Sequence, residues 1–362
     1  MKTILFLTIT LQIFISNISI SQYSSPESIT YDTTGKRYFI SNTSSSKIVQ
    51  RDRQGNVTDF VTVGGSIHGI TVHNGKVYVC NGTRVRGYDL ITAAEVFNVL
   101  ISGSVFLNDL AIDNSGIMYV SDFNGRRIYK VNTANNEYWI YVPATTNQPN
   151  GLYVDTQRNR LLICCWGASA PVKAVSFADS SIANLITTSY SNCDGISLDR
   201  NDNVYISTWG IQSVARYDIN FVNPPVIVAS GLSNPADIYV NKNTDTLAVP
   251  NAGNSTVAFF HLDIPSGIKQ INNIANSFEL HQNYPNPFNP STNLEFGISD
   301  LGFVSLKIYD LLGKEVLTLV NKELDPGSYK YTFDASNLTS GIYFYKLSAN
   351  GNTDVKRMTL VK

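Results

Sequence analysis

One short pattern recurs six times along this chain, and its period limits the folds open to it. PESITYDTTGKRYFIS begins at Pro26, IHGITVHNGKVYVC at Ile67, LNDLAIDNSGIMYVS at Leu107 and PNGLYVDTQRNRLLIC at Pro149. NCDGISLDRNDNVYIS begins at Asn192 and PADIYVNKNTDTLAVP at Pro235. Each copy has a polar opening, an alternating strand, a tight turn rich in Asp, Asn and Gly, and a second alternating strand. The first core residues, Ile29, Ile70, Leu110, Leu152, Ile196 and Ile238, are 40 to 44 residues apart. A repeat of that length built only of strands is the period of propeller blades. Third and fourth strands follow, clearest in Arg127–Val131 and Tyr138–Val142. The expectation is an all-β chain whose first part is a six-bladed β-propeller over residues 23–263. The sixth repeat lacks an obvious fourth strand, which either Gly267–Ile271 or a short N-terminal stretch completes.

A chain of 362 residues has room for a second domain, and a net charge of -1 gives nucleic acid no electrostatic hold. Lys2 followed by an apolar run from Ile4 to Ile15 reads as an export signal, residues 1–22, too short to span a bilayer. No transmembrane segment is expected in the mature protein. Cys80, Cys164, Cys165 and Cys193 lack the spacing of a zinc site or a redox pair. Export permits a disulfide, for instance between Cys193 and Cys164 or Cys165, but buried free thiols are the plainer expectation.

Residues 264–277 read as a Pro/Gly/Asn-rich linker. Beyond it, 278–362 carries five to seven short strands, a small Ig-like β-sandwich. NYPNPFNPST, the YDLLGKEV hairpin, LTSGIYFYKL and the closing VKRMTLVK resemble the C-terminal sorting domain of the bacterial type IX secretion system. The resemblance implies the secretion machinery as a partner through 278–362, and a secreted or cell-surface location.

In a propeller the first strand of each blade lines the central channel. Two positions before each first core residue stand Glu27, His68, Asn108, Asn150, Asp194 and Ala236, which the ring brings to one rim. Loops after the second strands add Asn42, Asn81, Asp122, Trp166, Trp209 and Asn251. Glu27 and Asp194 would place two carboxylates in one narrow space, and repulsion with desolvation raises at least one pKa unless a cation is bound. Two carboxylates and the Asn150 amide oxygen form a hard, all-oxygen donor set, suited to Ca²⁺ first, then Mg²⁺ or Mn²⁺; Zn²⁺ is open if His68 joins. Turn geometry alone also selects Asn and Asp at strand openings.

The order of Glu27, the Asn108-Asp109 pair, Asn150-Gly151 and Asp194-Gly195 at successive blades resembles the family of gluconolactonase, senescence marker protein and luciferin-regenerating enzyme. That resemblance implies one divalent metal on the axis held by Glu27, Asn150 and Asp194, with Asp194 also the general base. It gives Asn108 a role in binding water or substrate. Sugar-lactonase members carry Arg where this chain has Phe106. With Trp166 and Trp209 nearby, the rim is more apolar than a polyhydroxy substrate suits. The expected substrate-contacting set is Asn108, His68, Phe106, Asp122, Trp166 and Trp209. The expected function is a secreted, metal-dependent hydrolase of a lactone or related cyclic ester. The alternative is a non-catalytic, cell-surface ligand-binding propeller; a strictosidine-synthase-like propeller is a third.

Overall fold

The computed structural model describes residues 22–262, 268–272, 275, 277–335 and 338–362; the expected export signal lies almost wholly outside them. The chain divides into two compact units, one up to Asn241 with Leu247–Phe260, the other Lys242–Thr246 with His261–Lys362. Apart from the 3-10 turn Thr156–Arg158, the elements are strands, as the alternating pattern predicts.

The first unit holds six successive antiparallel sheets. Sheet one runs from Pro26–Asp32 to Val57–Thr62, sheet two from Ile67–His73 to Glu95–Leu100, and sheet three from Leu107–Ile112 to Tyr138–Val142. Sheet four runs from Gln148–Asp155 to Ile182–Thr187 and sheet five from Cys193–Leu198 to Val226–Ala229. The sixth has three strands, Tyr239–Asn241, Thr246–Asn251 and Thr256–His261. Apolar cores lie between consecutive sheets: Phe39 and Ile48 meet Ile70 and Val77, and Leu162 and Val172 meet Ile196 and Val204. In each sheet the outermost strand is the least buried. All six residues of Cys193–Leu198 are buried, whereas Val57–Thr62 has none buried.

The first strands of the six sheets touch their neighbours in a closed cycle, the last against the first, giving a propeller-like all-β arrangement. Closure uses backbone and side chain together: Asp237 N–H donates to the Glu27 carbonyl at 2.9 Å, and Ser28 Oγ donates to Asp237 Oδ2. Among the described residues, neither expected fourth strand completes the sixth sheet. Ile268–Asn272 instead pairs with Gly327–Asp334 in the second unit, so part of the expected linker is strand, while Gly267 lies outside the described residues. At the other end, 22–25 forms no strand; Tyr23 packs among Ile29, Tyr38, Val257 and Phe259.

The second unit contains two four-stranded sheets. One is ordered Ile268–Asn272, Gly327–Asp334, Ser291–Ile298, Glu279–Leu280, and the other Glu315–Leu324, Gly302–Tyr309, Gly341–Ala349, Asn352–Leu360. Both contribute to one core around Leu294, Phe296, Leu306, Tyr345 and Met358. The YDLLGKEV hairpin turns where expected, with Asp310 Oδ1 accepting the N–H groups of Leu312 and Lys314 at 2.9 Å each.

Candidate functional site

A bulge in five successive first strands decides where the opening residues point. In each, two residues of the first strand oppose one of the second: Glu27-Ser28 against Ser41, His68-Gly69 against Cys80, Asn108-Asp109 against Ser121, Asn150-Gly151 against Cys164, and Asp194-Gly195 against Ser207. A bulge inserts an unpaired residue and re-aims its side chain off the pleat, which is why bulges gather beside sites. In three of the five, the small residue facing the bulge links neighbouring sheets. Ser121 Oγ accepts Asp109 N–H and donates to the Asn150 carbonyl, both within 2.9 Å. Ser207 Oγ accepts Gly195 N–H and donates to the Ala236 carbonyl at 2.8 and 2.7 Å. Cys164 takes the same place, its Sγ donating to the Asp194 carbonyl. All four cysteines are buried and free, and burial holds their thiol pKa values up.

On these inner strands Asn108 and Asn150 are in contact, and Asp194 lies close enough to Glu27 to repel it. Asn108 Nδ2 donates to Asn150 Oδ1, and Asn150 Nδ2 donates to the Cys193 carbonyl at 3.4 Å. Asp194 Oδ1 and Glu27 Oε2 are buried with no hydrogen-bond partner. Burial raises the Asp194 pKa and Asp237 raises it further, while the Asn150 side chain and the nearby Trp209 indole pull it down. The indole N–H forms no hydrogen bond of normal geometry, so Trp209 Nε1 is itself unpartnered. Burial also lifts Glu27, with Asp194, Asp237 and Asp109 adding repulsion.

Asp109 and Asp237 belong to this acid group, and sequence reasoning missed them as site residues. Each follows an opening residue, in LNDLAI and PADIYV, one place nearer the core. Asp109 Oδ2 accepts Leu152 N–H at 2.6 Å; burial and Asp237 push its pKa up. Burial pushes Asp237 up to about 7. No Lys or Arg contributes to the shifts of these four acids.

The donor chemistry fits a hard cation. Two carboxylate oxygens stand buried and unpaired in an acid-rich mouth, and Asn150 Oδ1 keeps a lone pair beyond the one Asn108 occupies. Among the described residues no three His, Cys, Asp or Glu side chains form a metal cluster, so an ion would depend on that amide oxygen.

Other expected contacts resolve differently. Asp122 is engaged by the backbone: its Oδ1 accepts Phe106 N–H at 2.8 Å and Gly125 N–H at 3.0 Å, and Oδ2 accepts Val105 N–H at 3.1 Å. It positions the Phe106 loop, because the loop's N–H groups would otherwise lack acceptors. Asn42, Asn81 and Asn251, at the same place in their sheets, likewise bind the backbone of the preceding loop. His68 joins an aromatic row: its ring meets Phe106 edge-on at 4.6 Å, and burial lowers its pKa to about 4. The row continues through Phe123, which sequence reasoning missed, to Trp166 and Trp209.

Residues 282–361 match the family model of the secretion system C-terminal sorting domain, which indicates export to the cell surface or medium. No curated protein matches the chain by sequence. The structure is similar to a gluconolactonase from Xanthomonas campestris, with TM-score 0.56, 14% identity, and coverage of 64% of this chain and 84% of that one. A luciferin-regenerating enzyme gives TM-score 0.53 at 14% identity, covering 64% and 85%. Kuenenia stuttgartiensis hydrazine synthase gives TM-score 0.53 at 14% identity, covering 69% and 99%. Likeness at this distance shows a shared propeller-like fold. One fold under three such names leaves function to be argued from the site.

Proposed function

We propose that the first unit is a six-bladed propeller which, after export by the type IX route, hydrolyses a lactone or related cyclic ester. The sandwich that follows, read as Ig-like, serves export. The carrying observation is the pair of buried, unpartnered oxygens, Glu27 Oε2 and Asp194 Oδ1, on bulged strands at the ring mouth. Glu27, Asn150 and Asp194 would hold one divalent ion, Ca²⁺ first. Such an ion supplies Lewis-acid polarisation of a carbonyl and a more acidic water.

The chain's own residues do the rest. Asp194 accepts a proton from the attacking water at Oδ1 and returns it to the alkoxide released when the ring C–O bond breaks. Its elevated proton affinity suits a base. Asn108, held by Asn150, orients water or substrate. The test is the full chain assayed with Ca²⁺ on a lactone panel, beside Asp194→Asn. Turnover that falls by about a hundredfold or more in the variant supports the reading; turnover that survives removes Asp194 as base.

A second reading is a non-catalytic binding propeller, in which the Asn108 amide N–H is taken up by Asn150 and not by a reacting group. It predicts ion and ligand binding with no turnover on any lactone.

A further inference from the structure

Five half-buried rings run along the mouth from the second sheet to the fifth. Their centroids are 4.6 Å apart for His68 and Phe106, 6.1 Å for Phe106 and Phe123, 6.0 Å for Phe123 and Trp166, and 5.1 Å for Trp166 and Trp209. The row is locked in place: Phe123 N–H donates to the Phe106 carbonyl at 2.8 Å, and Asp122 holds the Phe106 N–H. It ends beside Asp194, through Trp209.

We propose that this row is a substrate subsite for a planar, uncharged aromatic ring, so that the preferred substrate is an aryl-fused lactone. The inference rests on reading the mouth as a lactonase site. Three observations carry it. The neighbouring groups are carboxylates with no cationic side chain among their partners, which repels an anionic ligand. The Phe106 and Phe123 side chains offer no hydrogen bond, so hydroxyls of a polyhydroxy ligand lying along them would go unpaired. An aromatic ring instead gains edge and face contacts. The polar atoms of the row that are buried without a hydrogen-bond partner are His68 Nδ1 and Trp209 Nε1, at its two ends.

The test uses the full chain with Ca²⁺ and three probes: dihydrocoumarin, δ-valerolactone and δ-gluconolactone. Dihydrocoumarin is expected to exceed the other two in kcat/KM by about tenfold or more, mainly through KM. Phe123→Ala and the gentler Phe123→Leu should draw that ratio towards one, with folding checked by thermal melting. A turnover-independent arm follows quenching of tryptophan fluorescence in Asp194→Asn titrated with dihydrocoumarin. Quenching that weakens when Phe123→Leu is added supports the subsite even where no lactone is hydrolysed, and the hydrolase reading then fails alone. Equal kcat/KM on all three probes, or no quenching by dihydrocoumarin, overturns the subsite.

Discussion

Ser28 Oγ donates to Asp237 Oδ2 at 2.5 Å, joining the first sheet to the sixth across 209 residues of sequence. The same hydroxyl accepts the N–H of Ile70 from sheet two at 3.1 Å, so one side chain ties three sheets at the ring's seam. Ser28→Ala leaves a buried carboxylate and a buried N–H each short of a partner. An unfolding free-energy loss of about 1–3 kcal/mol is expected from chemical denaturation. A loss below about 0.5 kcal/mol would show that the backbone bond from Asp237 to Glu27 closes the ring without help.

The acids at the mouth set a pH dependence. Glu27, Asp109, Asp194 and Asp237 all have raised pKa values, so the folded chain holds protons that the unfolded chain releases. For Asp237 that stability is fully present below its unfolded value of about 4 and is lost as pH rises through about 7. In chelator, the melting temperature should therefore fall between pH 4.5 and 8. Asp237→Asn should flatten the slope, and Ca²⁺ at pH 8 should raise the melting temperature. A flat profile in the parent chain would mean that these groups do not titrate together on unfolding.

Cys164 occupies the place that Ser121 and Ser207 hold in the neighbouring registers, and donates to the Asp194 carbonyl as they donate to theirs. Cys164→Ser should change stability by less than about 1 kcal/mol, while Cys164→Val, which fills the space without a donor, should cost about 1–3 kcal/mol. Buried thiols of raised pKa should also resist a thiol-reactive dye until the chain unfolds. Rapid labelling of the folded protein would contradict that burial.

Much of this architecture is legible in the sequence because propeller strands are short-range. The alternation in Ile196-Ser197-Leu198 and the turn at Asp199–Asn203 are local signals, and both appear where expected. Glu27, Asn150 and Asp194 share one register of the repeat, and each stands at the bulge of its first strand. Asp109 and Asp237 could not be found by that alignment. Asp109 is the second residue of a bulge and Asp237 lies just before the sixth sheet's first strand, and a count in steps of two passes over both. Phe123 was missed for a related reason: it follows Asp122, whose carboxylate looks like the functional group yet is consumed by the loop. The three-stranded last sheet was illegible because Ile268–Asn272 finds its partner far along the chain, at Gly327–Asp334.

Gly195 offers the sharpest test of how closely the first strands approach. A Cβ there would lie 2.4 Å from Ile238 N and 2.6 Å from Asp237 Cα, both backbone atoms of the next sheet. Backbone cannot yield as a flexible side chain does, so Gly195→Ala must push sheets five and six apart. The cost should be about 3 kcal/mol or more, and it falls on the strand that carries Asp194. Gly341→Ala is the control, since its Cβ would meet nothing nearer than Tyr343 Cε2 at 3.9 Å. Denaturation of both variants should show a large loss for the first and a change within about 0.5 kcal/mol for the second. If Glu27, Asn150 and Asp194 hold an ion as proposed, its binding should weaken in Gly195→Ala alone, because that change displaces the strand carrying Asp194. Equal stability of the two variants would mean that the inner strands sit further apart than these distances state.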